Sequence, residues 1–477
     1  MPQPFHDTST ARQGRHPPHT AASPEFPVGD NPCKTHDRRR EIEIYYRPAR
    51  STDKKKNAPR RNAERLPCAK PKYNLVFTPD CGIIYAIFLD GEMPMIKRTM
   101  TKTAKELWTR YPVVTITGPR QSGKTTLAQT AFPNAEYVNL EIPDVRDEAM
   151  RDARGFMERH KAPVIFDEIQ NTPDLVSYVQ AEADRIGRNS LFVLTGSHQP
   201  ALQAAVSQSL AGRTGILELL PLSLEELKTA NGGKQRDQWM FDGFMPRLYN
   251  NGPEPTRLYA DYFRTYVERD VRQIANLRNL RQFETFIRLL AGRVAQLLNL
   301  ESLASDMGIS ATTLKEWLSL LEASYVIRIL RPYYRNFGKR FIKAPKIHFT
   351  ETGLVTYLLG IKSAEQIATH PLVGSIFENM VVMEAFKRRL NRGEADDLYF
   401  LRTSHGVEVD IAWENNGKLD LCEIKAGSTF HDDMAKNIRA IERLLPGEIG
   451  RKSIVYSGRK TSTADGIQAR PFDAFCF

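Results

Sequence analysis

The chain has 477 residues, 41% hydrophobic and 26% charged, the balance of an ordinary folded protein with about two to four domains. Its net charge of +11 divides into about +5 on residues 1–94 and about +6 on the rest, a mild bias compatible with nucleic acid but not diagnostic of it. No apolar run approaches the roughly 18 residues that span a bilayer, the Met1 region lacks a secretion-signal core, and the cysteines Cys33, Cys68, Cys81, Cys422 and Cys476 lack any CxxC spacing; this argues against membrane, zinc and disulfide classes and fits a reducing, cytoplasmic setting.

Residues 1–94 hold about thirteen of the 29 prolines and the basic runs Arg38-Arg39-Arg40 and Lys54-Lys55-Lys56. Periodicity is absent there except near 81–89, so this segment buries too little apolar surface to offset its ordering entropy. Two readings stand: a disordered extension able to act as a nucleic-acid arm, or a start called too early, with the true start at Met93, Met95 or Met100.

Residues 95–222 alternate strand and helix, as a nucleotide-binding α/β core does. The β-branched run 113–117 predicts a buried strand. It leads into Gly118-Pro119-Arg120-Gln121-Ser122-Gly123-Lys124-Thr125-Thr126, which matches G-x-x-x-x-G-K-[ST], the phosphate-binding loop of nucleoside triphosphatases. Gly118 and Gly123 permit the sharp turn, the loop amides form an anion nest, Lys124 brings charge to the β and γ phosphates, and Thr125 is a Mg²⁺ ligand. The helix opened by Thr126 adds its anion-favouring N-terminus. A second buried strand, Pro163-Val164-Ile165-Phe166-Asp167-Glu168, ends in two acids. Asp167 is the candidate for the Mg²⁺ shell and Glu168 for polarising the attacking water. A third strand, 191–194, runs into Thr195-Gly196-Ser197, where the small hydroxyl residues, Ser197 above all, are candidate contacts for the γ phosphate or the water. Arg213, in Leu210-Ala211-Gly212-Arg213, is the candidate charge acting on the γ phosphate.

Ser223 is a plausible N-cap, with Glu225 and Glu226 in the first turn of a helical lid, 223–298. Phe283, Phe286, Ile287, Leu290, Val294, Leu297 and Leu298 follow helical spacing and predict one buried face. Residues 299–350 read as helix-turn-helix: a short helix stopped by Gly308, a second capped by Ser310 with Trp317, Leu318 and Leu321 inward, then a strand at 325–330, which suggests a winged helix. The basic and aromatic run at 331–343 is either a surface for bases and phosphates or a solvated hairpin.

Residues 351–477 form the last unit. Val407-Glu408-Val409-Asp410-Ile411-Ala412-Trp413 alternates as a strand, Asn416-Gly417 is a hairpin turn, and Leu419-Asp420-Leu421-Cys422-Glu423-Ile424-Lys425 returns. Glu423 and Lys425 share a face, with Asp410 on the facing strand. This D-x(n)-E-x-K pattern belongs to restriction-endonuclease-like folds. Asp410 and Glu423 are candidate metal ligands, Lys425 orients or deprotonates a water, and Glu378, at the start of an upstream helix, is a further metal acid.

Residues 95–477, about four fifths of the chain, resemble a prokaryotic family of AAA-type ATPases with a carboxyl-terminal domain of unknown function that looks restriction-endonuclease-like. The resemblance rests on the phosphate loop, Phe166-Asp167-Glu168-Ile169-Gln170, Leu194-Thr195-Gly196-Ser197, Leu210-Ala211-Gly212-Arg213, Lys339-Arg340-Phe341-Ile342-Lys343-Ala344-Pro345-Lys346 and Gly374-Ser375-Ile376-Phe377-Glu378-Asn379. Glu351-Thr352-Gly353-Leu354 stands where the family often has Asp-Thr-Gly-Leu. The resemblance implies an α/β P-loop ATPase using ATP and Mg²⁺, joined to a nuclease-like domain that uses Mg²⁺ or Mn²⁺ on DNA. The alternative is an ATP-driven switch whose nuclease-like domain is silent. DNA and further copies of the chain are the candidate macromolecular partners, and no membrane contact is expected.

Overall fold

The computed structural model describes residues 95–197, 206, 208–250, 252–271, 280–333 and 341–474, together with two paired strands before them. Those strands, β1 (Tyr73–Thr78) and β2 (Ile83–Phe88), form an antiparallel hairpin. The periodic stretch at 81–89 thus supplies a strand within a segment expected to be irregular.

The core sheet contains β3 (Val113–Gly118), β4 (Glu136–Asn139), β5 (Val164–Asp167), β6 (Phe192–Ser197) and β7 (Thr214–Glu218). All pairings are parallel, in the order β4-β5-β6-β3-β7. Alternate residues enter two cores because successive side chains leave opposite faces. Val114, Ile116, Ile165, Val193 and Leu217 pack with Leu127 on one face. Val113, Val164, Phe166, Phe192 and Leu194 pack with Val176 and Val179 on the other. Burial on both faces explains why these strands read as continuous apolar runs. After β3 the chain crosses to the far edge at β4, then returns through β5 to β6, so β3 sits at a change of direction. In such sheets ligands bind at the carboxyl edge beside that point. Thr195, Gly196 and Ser197 belong to β6 itself rather than to a turn.

Ser223 caps the helix Leu224–Asn231 in a full capping box with Glu226. The helix Leu280–Ala291 buries Phe283, Phe286, Ile287 and Leu290 as expected. Val294, Leu297 and Leu298 are not on that helix. The chain leaves it because Ala295 N donates to Ile347 O (2.7 Å) and Leu298 N to Pro345 O (2.8 Å), pairing this stretch with a strand instead.

The two helices at 300–323 form as predicted. Gly308, at φ 63°, ends Leu300–Met307, and Ser310 accepts from Thr313 N (3.1 Å) at the start of Ala311–Ala323. Trp317 meets Phe283 edge-on, with ring centroids 5.4 Å apart, so the second helix packs against the lid.

The predicted boundary at 350/351 does not divide two cores. β8 (Ile327–Pro332) and β9 (Lys346–Phe349) continue into a mixed sheet with β10 (Tyr399–Arg402), β11 (Glu408–Asn415), β12 (Lys418–Lys425), β13 (Ile449–Tyr456), β14 (Ser462–Ala464) and β15 (Ile467–Pro471). The order is β14-β15-β13-β12-β11-β10-β8-β9. β8, which covers most of the single strand expected at 325–330, and its partner β9 therefore form the edge of the carboxyl-terminal sheet, joined by parallel pairing of β8 with β10. One hydrophobic core runs from Leu220 through Trp317 to Phe472. A strand's apolar pattern shows that it is buried, not which sheet buries it. In the basic run at 331–343, residues 334–340 lie outside the described residues. No helix among the described residues is long and apolar enough to cross a membrane.

Candidate nucleotide site and carboxyl-terminal acid cluster

The loop between β3 and the helix Lys124–Ala131 turns through left-handed backbone at Gln121 (φ 62°) and Gly123 (φ 91°). Gly118 serves packing as well as turning: a Cβ there would collide with the Leu219 carbonyl. Lys124 is buried inside the loop, its Nζ donating to Pro119 O (2.8 Å) and Gly118 O (3.2 Å). Burial lowers its pKa to about 8, against the pull of Glu168 and Asp167. Thr125 Oγ1 donates to Asp167 Oδ2 at 2.9 Å, bringing the two predicted Mg²⁺ residues together from the helix after the loop and the end of β5. Thr126 follows on the same helix. The hydroxyls of Ser122 and Ser197 are buried without a hydrogen-bond partner among the described residues.

Three further residues surround the site, and two of them, Tyr137 and Arg98, escaped the sequence analysis. Tyr137 on β4 donates to Asp167 Oδ2 (2.7 Å), and Thr195 on β6 donates to Oδ1. The hydroxyl of Thr195 thus holds the acid of β5, while the sequence gives no signal for Tyr137. Arg98 donates to Ser122 O (2.6 Å), Leu220 O (2.7 Å) and Glu226 Oε1 (3.1 Å), fastening the phosphate loop to the capped end of the lid helix. Thr99 N donates to the same Glu226 oxygen at 2.7 Å.

Glu168 follows β5 in left-handed backbone, φ 57°, and Gln170 donates to its Oε2. A non-glycine residue in that region signals a conformation imposed by its surroundings. Arg120 lies in the loop, partly buried. Arg213 is the one candidate in the wrong place. It precedes β7 and accepts from Val113 N (3.2 Å), at the amino end of the sheet. The phosphate loop starts at the other end of β3, about 16 Å away at roughly 3.3 Å per residue. Its guanidinium forms a two-point pair with Asp184, at 2.6 and 3.0 Å, on the outer surface. Arg213 therefore cannot act on a phosphate held by its own chain. Sequence order placed it after the third strand but could not tell which sheet edge it reached.

At the other site the predicted residues do converge. Asn416 and Gly417 take positive φ, 50° and 76°, and close the β11–β12 hairpin. Ile411 pairs with Cys422, so the next step sets Asp410 opposite Glu423. Asp410 Oδ2 accepts from Ile424 N (2.8 Å), and Glu423 Oε1 accepts from Lys425 (2.5 Å) and Asn437 (3.1 Å). Glu378, on the helix Val373–Asn391, accepts from Lys346 Nζ at 2.7 Å. Burial, and then the neighbouring Asp410 carboxylate, raise both Glu378 and Glu423 to about 8.

Two members of this cluster were not foreseen. Glu408 shares a face of β11 with Asp410, a relation legible from the two-residue spacing. The carboxylate oxygens of Glu378, Glu408 and Asp410 lie within 4.8 Å of one another, the arrangement of a cation site. Lys346, on β9, points its ammonium into this group, touching Glu408 and lying 3.6 Å from Asp410. Burial opposes its charge, but the carboxylates of Glu378, Asp410 and Glu408 raise its pKa above the ordinary lysine value.

A family profile described as an AAA domain matches residues 110–228. Domains of unknown function match residues 233–365 (DUF8612) and 373–475 (DUF4143). An uncharacterized protein of Mycobacterium tuberculosis is 30% identical over 368 residues, covering 76% of this chain and 81% of the relative, and one of Mycobacterium bovis matches equally. An uncharacterized protein of Haemophilus influenzae is 22% identical over 391 residues, 74% of this chain and 91% of its own. Among solved structures, a Walker-type ATPase of Pyrococcus abyssi aligns at 15% identity with a TM-score of 0.37, over 55% of this chain and 94% of its own. With its AAA domain spanning the phosphate loop and Asp167, the chain belongs to the family of these uncharacterized mycobacterial proteins and is a prokaryotic AAA-type ATPase.

Proposed function

We propose that the chain binds ATP in the loop 118–126 and hydrolyses it with Mg²⁺ at Thr125 and Asp167. The observation that carries this reading is the Thr125–Asp167 hydrogen bond beside the buried Lys124, at the carboxyl edge of a parallel sheet. Mg²⁺ supplies charge stabilisation to the transferring phosphoryl group. Lys124 adds a point charge to the β and γ phosphates, the loop amides and Ser122 line the phosphates, Ser197 contacts the terminal one, and Glu168 polarises the water. The ATPase core of this reading is 95–222, with the lid at 223–298. Isothermal titration of ATP tests it: Lys124→Ala should lose binding, and Glu168→Gln should keep binding and lose turnover. Wild-type ATP affinity in Lys124→Ala protein would refute the site.

For the carboxyl-terminal part, 351–477, the finer proposal is metal-dependent cleavage of DNA phosphodiesters. It is supported by the convergence of Glu378, Asp410, Glu423 and Lys425 from a helix and a hairpin. Mg²⁺ or Mn²⁺ would be held by Glu378, Asp410 and Glu423, while Lys425 orients the water. One observation favours the silent-domain reading instead: the Lys346 ammonium already balances these acids. Plasmid nicking with Mg²⁺ or Mn²⁺, with and without ATP, separates the two. Cleavage lost in Lys425→Ala supports the nuclease; no cleavage under any condition supports the switch.

A further inference from the structure

The nuclease reading has no use for Lys346. Its side chain is 2% exposed, and lysine is almost never so buried unless paired. Here the pairing is dense: Glu378 Oε1 at 2.7 Å, Asp410 Oδ1 at 3.6 Å, and Glu408 in direct contact. The same three carboxylates present oxygens within 4.8 Å of one another. An ammonium is a compact point charge with three donors. It therefore occupies the electrostatic centre that one divalent cation would take. It does not satisfy everything nearby, however. Glu423, 1% exposed and opposite Asp410, keeps its Oε2 buried without a hydrogen-bond partner among the described residues. A divalent cation carries twice the charge and takes six or more oxygens, waters included. It would draw on that orphaned oxygen where a lysine on β9 does not.

We propose that Glu378, Glu408 and Asp410 form a divalent-cation site of which Lys346 is the built-in occupant, so that lysine and metal compete for one place. The inference rests on reading the acid cluster as a metal site. It adds Glu408 as a ligand and Lys346 as a competitor. Metal loading then requires the Lys346 ammonium to withdraw, which keeps the site weak for Mg²⁺ or Mn²⁺ while the lysine is seated.

The test is Mn²⁺ titration of the full chain without nucleotide, by calorimetry, with thermal melting alongside. Lys346→Met should bind Mn²⁺ about tenfold or more tightly than wild type, and adding Glu408→Gln should abolish the gain. Lys346→Met takes from Glu378 its ion-pair partner, while Glu408 keeps Arg402 and Asp410 keeps the Ile424 N–H, so it is also melted with and without Mn²⁺ at matched ionic strength. A melting temperature that is low without metal and restored by Mn²⁺ supports the proposal. Glu408→Gln alone keeps the lysine paired and should weaken wild-type Mn²⁺ binding. Mn²⁺ binding unchanged by Lys346→Met overturns the competition and leaves the metal reading standing. No Mn²⁺ binding in any variant overturns both. Mn²⁺ binding as predicted without any DNA cleavage overturns the nuclease alone.

Discussion

Replacing Arg98 with alanine removes three hydrogen bonds that converge from separate parts of the chain: Ser122 O in the phosphate loop, Leu220 O after β7, and Glu226 in the lid cap. The arginine and glutamate side chains are 7% and 1% exposed, so solvent screens the pair little. Breaking a buried pair by removing one partner costs about 3–5 kcal/mol. Glu226 still accepts from Thr99 N (2.7 Å) and Ser223 N (2.8 Å), which places the loss at the lower end, about 3 kcal/mol. The loop would also lose its tether, so ATP affinity should fall together with stability. Urea unfolding and ATP titration of Arg98→Ala measure both, and Glu226→Gln with the double variant isolates the coupling. A stability loss under about 1 kcal/mol with unchanged ATP affinity would refute the clamp, because that is the scale of an exposed pair. Truncation tests the same contacts: a chain cut to begin at Met95 keeps Arg98 and should match the full chain in ATP affinity, whereas one cut to begin at Met100 lacks both Arg98 and the Thr99 N donor to Glu226 and should lose more stability than Arg98→Ala.

Three further outcomes are expected. Tyr137→Phe removes one of the hydroxyls on Asp167 while Thr125 and Thr195 remain; kcat should fall about fivefold, for roughly 1 kcal/mol, with ATP affinity nearly unchanged, and an equal loss in affinity would point to a structural role instead. Lys124 titrates near 8 when folded and at its ordinary 10.5 when unfolded. Below pH 8 both states hold the proton and the burial penalty is full; as pH rises from 8 towards 10.5 only the unfolded state keeps it, so nucleotide-free stability should rise across that window. Lys124→Met should flatten the rise in a urea series, and an unchanged slope would contradict the assignment. Arg213→Ala breaks an exposed pair with Asp184 and an exposed bond to Ala211 O and should leave ATP hydrolysis at the wild-type rate; a large loss would mean that Arg213 reaches nucleotide on a second copy.

Local chemistry explains what was legible beforehand. The phosphate loop, the Ser223 and Ser310 caps, the Gly308 stop and the Asn416-Gly417 hairpin each depend on backbone conformation within a few neighbouring residues. The hairpin alone sets Asp410 against Glu423, since a tight turn fixes register. Asp167 and Glu168 were legible as the end of an apolar strand. Tertiary structure decided the rest. Arg98 meets Glu226 across 128 residues, and Lys346 meets Glu378 across 32; neither arginine nor lysine carries a local pattern naming its partner. Arg213 looked well placed because sequence order follows the strands, but parallel strands begin at the edge opposite the one where they end, and only the sheet shows which edge a residue joins. The strand at 325–330 suggested a wing, yet pairing with β10 placed β8, and β9 with it, in the carboxyl-terminal sheet. That choice carried Lys346 into the acid cluster. It was made by which free strand edges met in three dimensions, information that no spacing of residues contains.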